Sequence, residues 1–527
     1  MVQIPPRPLW EAGTTNPVPP DQAADRRCAL WTWVLLGVVG FNALGFALAA
    51  VRELTALRDL THPEGVLVYN TLELVRGGAL YRDFLTPPYI HTPYGPLLYL
   101  LSLPAVVLLG GDVAAGYLAG RTVVLLATGS TVLLVGLLAA RLTGSRRAGV
   151  LAGLAFLTVP PLVPWGYSMR PDLLAIALSL AGLAAAWRTV HDRDLSWAQA
   201  ALVAALLLAA LWSKQTALAA PVALLLAWGT AGRWRSAVRF LLFFGGAGVL
   251  LVGAAHVWTQ GAFYQNAVEG MRCGLRPRAP YHMALHLLRL GGPLLAAAVL
   301  GLRDWNRHWH LPVIYAGTGI ALALLFALRG GSDINHLFEP LAAVALVAGG
   351  GFARALNEAA QGKHGISALA LALLVLFAPG GARTVDELLG KAGDLDRARP
   401  ALLRTLAREP GEILTFSTDL PLLSHRSPRL LDPMIFACLA GAGTWDPAPL
   451  ADLLRRGEIP TVVLLTTAGG GIFANHHGIP VWPPSVLRSI EDRYRPVGDY
   501  GLQRVYEPLP VATRSDGGAA PGEAPPR

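Results

Sequence analysis

Cysteine is scarce here: Cys28, Cys273 and Cys438 are the only three in 527 residues. None has metal-ligand spacing, and together they form no disulfide framework, so a bond between Cys273 and Cys438 is not expected. Charge is also scarce. Charged residues make up 15% of the chain, against about 25% in soluble proteins. A Gly-rich nucleotide-binding motif of any weight is missing, which argues against a nucleotide-fold enzyme. The net charge of +9 comes from basic residues split among short loops, a pattern that orients membrane proteins and excludes a nucleic-acid surface.

Apolar residues take the place of charge, at 53%. Runs rich in Leu, Ala, Val and Gly occur at 29–51, 96–110, 117–140, 148–163, 173–187, 198–212, 216–230, 240–258, 284–302, 311–328, 337–352 and 366–378. They predict a polytopic α-helical membrane protein. The first run follows Arg26 and Arg27 and is long enough to be a retained anchor rather than a signal peptide. Basic loops at Arg26/Arg27, Arg141/Arg146/Arg147, Arg188/Arg193, Arg233/Arg235/Arg239, Arg303/Arg307 and Arg354/Lys363 should all face the cytoplasm. Parity then requires one of the first three runs not to cross. The short, Pro-flanked run 96–110 is assigned to the outer interface. About eleven spans follow, with the N-terminus inside, in an inner (plasma) membrane.

The Pro-rich stretch 1–27 reads as a disordered tail, 28–378 as the transmembrane domain with a first outer loop at 52–116, and 509–527 as a second tail. Between them, 379–508 reads as a small extracytoplasmic α/β domain. Its expected strands are 412–417, 461–467 and 501–508, and its expected helices 449–458 and 483–494.

This orientation gathers ionisable residues on the outer face, where they usually line a site or path. The first loop carries Glu64, Arg82, Asp83 and His91, with Gly77–Gly78 as a break between two expected short helices. Further along lie Arg121, Arg170 and Asp172, then Lys214 and Gln215. Glu269, Arg272, Arg276 and Arg278 follow, and "GSDINHLFEP" adds Asp333, Asn335, His336 and Glu339. The bland alternatives are a polar loop for the first stretch, helix capping for Asp83 and Asp172, and interfacial anchoring for Tyr89, Tyr94 and Trp165. Glu339, inside a span, should pair with Lys214, an arginine or His336.

An acidic residue soon after the first span, then "GGALYRDF" and "TPYGPLLYLL", resembles the first outer loop of the GT-C glycosyltransferases, and most closely family 39, the protein mannosyltransferase and aminoarabinose transferase group. "RPD", "KQT" and "GSDINHLFEP" resemble later landmarks of its bacterial members. Where that family often has Asp-Glu, this chain has Pro63–Glu64. The resemblance implies inverting transfer of a sugar from a polyprenyl-phosphate donor to a glycan, lipid or protein acceptor on the extracytoplasmic side. Glu64 is then the first choice for general base, with Asp83 and Asp172 behind it. Arg121, Arg170, Lys214, Arg272 and Arg276 are candidates for the lipid phosphate. His91, Tyr94, Gln215, Asp333, Asn335, His336 and Glu339 are candidates for sugar or acceptor. No cofactor is specified. Glu64, Asp83 and Asp172 are the ligands available to a divalent metal, without tight ligand spacing. The nearest rival reading is a different GT-C family using a related lipid donor; the next is a transporter or flippase of glycan precursors, which should show inverted repeats and mid-membrane charges. A scaffold or sensor using the α/β domain as a binding module is a third.

Overall fold

The computed structural model describes residues 22–304, 306–361, 371, 394–467, 469–476 and 479–510. They divide into two compact units. One takes the described residues of Met1–Ala56, Tyr94–Ala255 and Arg276–Lys391; the other takes those of Leu57–Pro93, His256–Leu275 and Ala392–Arg527.

The first unit is helical. Among the described residues, seven helices are long and apolar enough to cross a membrane: Ala29–Glu53, Val113–Thr143, Asp172–Thr189, Trp234–Trp258, Ala279–Asp304, Arg307–Ala327 and Ile334–Ala360. The chain is therefore a multi-pass membrane protein. The other expected spans are the shorter helices Arg146–Phe156, Trp197–Ser213 and Ala219–Thr230, and the run 366–378, which lies outside the described residues except for Leu371. The run assigned to the interface forms the helix Leu97–Leu108. At 1.5 Å per residue it is about 18 Å long, short of the ~30 Å hydrocarbon core.

Close packing explains the glycines of the most enclosed span. Helix Phe338–Ala360 packs on Ala279–Gly301, His310–Ala327 and Val113–Thr143. A Cβ at Gly349 would stand 2.7 Å from the Ala139 methyl carbon, and one at Gly351 would collide with the Ala297 carbonyl. Apolar burial gives helices no reason to associate within lipid, so such backbone-to-backbone approach does. The Arg121 guanidinium closes the end of the first span, donating to the carbonyls of Glu53 (2.7 Å) and Ala56 (2.6 Å).

The second unit is α/β and discontinuous. Its five-stranded sheet has the order β2-β1-β3-β7-β6. The strands are β1 (Glu412–Thr415), β2 (Ser427–Leu430), β3 (Thr461–Leu465), β6 (Tyr494–Tyr500) and β7 (Gln503–Pro508); β4 (Asn475–His476) and β5 (Ile479–Pro480) make a separate hairpin. β1 runs parallel to β2 and β3, while β7 is antiparallel to both β3 and β6. The expected strands at 412–417, 461–467 and 501–508 are present, as are helices Ala448–Arg456 and Pro484–Arg493. β2 and β6 were not anticipated.

The polar stretch after the first span belongs to this unit. Helix Glu64–Val75 ends before Gly77, whose φ is +80°. The second helix expected there does not form; the next is Leu97–Leu108. The intervening chain instead lies along the sheet edge. The Tyr89 N–H donates to the Arg429 carbonyl and the Leu431 N–H to the Tyr89 carbonyl, each at 3.0 Å. Phe84 and Tyr89 are buried in one core with Phe436, Trp445, Leu450 and Val462. Contrary to expectation, Cys273 and Cys438 form a disulfide across 165 residues. Local spacing could not show this, because the pairing depends on the fold bringing 256–275 to the α/β core.

Candidate functional site

The helical unit holds a buried polar cluster built from four segments. Asp172 is the first residue of its helix and is 1% exposed. Its oxygens do not cap that helix. Oδ1 accepts from Lys214 Nζ at 2.5 Å and from Asn335 Nδ2 at 2.8 Å, and Oδ2 faces Arg170 Nε at 3.5 Å. Lys214 follows the last turn of Trp197–Ser213, and Asn335 lies in the 3-10 turn Ile334–Leu337. Arg170 is boxed in by aromatics. It donates through Nη2 to Tyr94 Oη at 2.8 Å, and its guanidinium carbon stands 4.1 Å from the Trp165 ring centroid. Burial opposes its charge, but Tyr94, Asp172 and Asp333 outweigh that and hold the guanidinium above its ordinary value.

Gly95 makes the Tyr94 contact possible. A Cβ there would collide with the Trp212 carbonyl, two residues before Lys214. Asp172, Lys214, Asn335, His336 and Glu339 line one cavity, with apolar walls from Ile176 and Phe326. His336 lies within electrostatic reach of Lys214, Arg329, Asp172 and Arg170. Glu339 differs from expectation: Tyr315 Oη donates to its Oε1 at 3.1 Å, and among the described residues it has no ion pair. A neutral donor satisfies the carboxylate without a second buried charge.

Arg329 was not anticipated. It is half-buried just past helix His310–Ala327, and burial lowers the affinity of its guanidinium for its proton. Among the described residues it forms no ion pair. The group therefore holds three cations, Arg170, Lys214 and Arg329, with Asp172 paired to the first two, Glu339 on the same cavity and Asp333 within electrostatic reach of Arg170. Arg329, with no ion pair among the described residues, is the cation left to meet an anion.

The other expected residues are placed differently. Arg121 closes the first helix, as described above. Gln215 is half-buried beside Lys214, while Asp333 is exposed and accepts from the Ile334 N–H at 2.6 Å. Arg276, half-buried, donates its backbone N–H to Leu328. Trp165 and Tyr89, read as interfacial anchors, are buried instead. In the α/β unit, Asp83 is exposed and its Oδ1 accepts from the Leu85 N–H and from Gln265 Nε2, both at 2.9 Å. The first bond closes a local turn and the second ties that turn to Gln265, 182 residues away. His91 Nε2 is 2.9 Å from the Asn266 carbonyl, and Arg272 is exposed. Glu64, the expected base, opens its helix fully buried, and its Oε2 accepts from the Leu60 N–H at 2.9 Å. Among the described residues no group of three or more His, Cys, Asp or Glu is arranged to hold a metal ion.

No protein-family model matches the chain, and no curated protein sequence matches it. Solved structures do. ArnT from Cupriavidus metallidurans in the apo state is 14% identical with a TM-score of 0.55, covering 91% of this chain and 98% of its own. The same protein bound to undecaprenyl phosphate is 15% identical with a TM-score of 0.56, over 89% and 98%. The oligosaccharyltransferase AglB from Archaeoglobus fulgidus, in complex with an inhibitory peptide and a dolichol-phosphate, is 11% identical with a TM-score of 0.50, over 90% and 75%. None of these matches singles out family 39. The likeness spans nearly the whole chain, and the fold is shared with ArnT and AglB.

Proposed function

We propose that the chain is an integral membrane glycosyltransferase, moving a sugar from a polyprenyl-phosphate donor to a glycan, lipid or protein acceptor on the extracytoplasmic side with inversion. One observation carries the reading: a cavity at the ends of apolar helices, lined by a buried Asp172–Lys214–Asn335 group with Arg170 alongside. A lipid phosphate needs cations within reach of the bilayer, and a polyprenyl tail keeps the donor there. The fold shared with ArnT and AglB supports the same reading. A transporter would put its charges mid-span, whereas Asp172, Lys214 and Asn335 stand at helix ends.

In this reading Arg329, Lys214 and Arg170 receive the donor phosphate and stabilise it as it leaves. Asp172 holds Lys214 and Arg170 in place and is too heavily engaged by them to act as base. Asn335, His336, Gln215, Glu339 and Tyr94 remain to receive sugar hydroxyls. Glu64 takes the proton of the acceptor hydroxyl as the new bond forms, contributing roughly 10²–10⁴-fold. The α/β unit lies on the extracytoplasmic side, which the Cys273–Cys438 disulfide supports, because such bonds persist in oxidising compartments. The test is transfer from a panel of radiolabelled polyprenyl-phosphate sugars in proteoliposomes. Turnover of at least one donor is expected. No turnover of any of them by folded protein, beside uptake or flipping of the lipid, would refute the reading.

A further inference from the structure

The turn that presents Glu64 is held by residues about 360 positions away in sequence. The Asp59 N–H donates to Asp419 Oδ2 at 2.8 Å, and the Thr418 hydroxyl donates to Asp59 Oδ2 at 2.5 Å. Arg399 pairs with the same Asp419 oxygen. Next to Glu64 in sequence, a Cβ on Gly65 would stand 2.7 Å from both the Thr418 carbonyl carbon and its Oγ1. His62 Nε2 lies 2.9 Å from Asp432 Oδ1, and the ring stacks on Phe416 with centroids 4.6 Å apart and planes 7° from parallel. Asp432 itself sits at φ +63°, a region that non-glycine residues seldom occupy. There its side chain also accepts from the Ile435 N–H at 3.3 Å. Strained backbone of this kind persists where surrounding contacts over-determine it.

We propose that Asp432 and Asp419 are positioning residues for Glu64. This rests on the reading of Glu64 as base. Loss of the Asp432 anchor removes the side-chain partner that fixes the His62 ring and loosens the 59–65 turn, and a misplacement of about 1 Å can cost 10²-fold in rate.

The test uses the full chain in nanodiscs, with Asp432→Ala, Asp432→Asn and Glu64→Gln compared with the parent. In Asp432→Ala, amide exchange in the peptide covering 57–66 should rise about tenfold. With the best donor of the polyprenyl-phosphate panel, kcat should fall about 10–100-fold while donor KM stays within about threefold. Asp432→Asn should stay near the parent, because Asn tolerates the left-handed backbone and keeps a hydrogen bond to His62. Where Asp432→Ala lowers the yield of folded protein, His62→Ala carries the same test. Unchanged exchange and kcat in the alanine variant, or equal loss in the alanine and asparagine variants, would overturn the proposal. Raised exchange in Asp432→Ala beside full activity of Glu64→Gln would uphold the anchoring of the turn and refute the base.

Discussion

Asp172→Asn is the sharpest probe of the buried cluster. The substitution keeps the shape and removes the charge that Lys214 faces at 2.5 Å and Arg170 at 3.5 Å. Both cations are nearly enclosed, with side chains 11% and 5% exposed. Removing one partner of such a pair costs about 3–5 kcal/mol. The Asn335 amide loses its charged acceptor as well, worth about 1.5–3 kcal/mol in isolation. The second term overlaps the first, so about 3–5 kcal/mol is expected in all. Lys214→Met leaves Asp172 with Arg170 and Asn335 and should cost less. The double variant should cost less than the sum of the two, with a coupling of about 1–3 kcal/mol. Denaturant or thermal unfolding in a defined detergent measures all four forms. Additivity within about 0.5 kcal/mol would show that the two side chains do not act on each other, and the description of the cluster would fail.

Arg329→Met removes a half-buried cation that has no carboxylate partner among the described residues. It should leave the protein as stable as the parent or slightly more so. Donor KM should rise about 10–100-fold, the equivalent of a lost charge-assisted hydrogen bond of about 1.5–3 kcal/mol. In the α/β unit, burial pushes the Asp432 carboxyl up, but His62 and the Ile435 N–H outweigh it and hold it below its ordinary value. Its contribution is therefore complete above the ordinary carboxylate value of about 3.9 and disappears as pH falls below it. Asp432→Asn should flatten the Tm profile between about pH 5 and pH 2. Cys273→Ser should cost about 2–5 kcal/mol, read as faster proteolysis of the α/β unit, with a gel shift on reduction in the parent alone. Gly351→Ala should cost about 1–3 kcal/mol by overpacking against the Ala297 carbonyl, seen as a lower Tm with no change in donor KM.

Much of this was legible in the sequence because polar residues stand out against a Leu/Ala background. Arg170, Asp172, Lys214, Asn335, His336 and Glu339 were all visible for that reason, and the structure brings them together. What escaped did so for physical causes. Arg329 follows a span directly and reads as an ordinary terminal arginine; its lack of a carboxylate partner is a property of three dimensions. Tyr315 reads as one more apolar residue until its hydroxyl meets Glu339. Gly95 carries no signal until the Trp212 carbonyl occupies the space a Cβ would take. Hydrophobic periodicity reports local structure only. It could not show that Tyr89 joins the edge strand β2, that Cys273 meets Cys438, or that 57–93 belongs with the α/β unit rather than with the helices it lies between. Asp83 and His91 looked chemical by residue type, but hydrogen bonds engage them, Asp83 with the nearby Leu85 N–H and His91 with the Asn266 carbonyl 175 residues away.

Transfer by Glu64→Gln in proteoliposomes, with donor affinity measured separately, tests the central claim most directly. The account predicts that kcat falls by roughly 10²–10⁴ while a labelled polyprenyl-phosphate sugar still binds as it does to the parent. Transfer within tenfold of the parent, by folded protein, would contradict it.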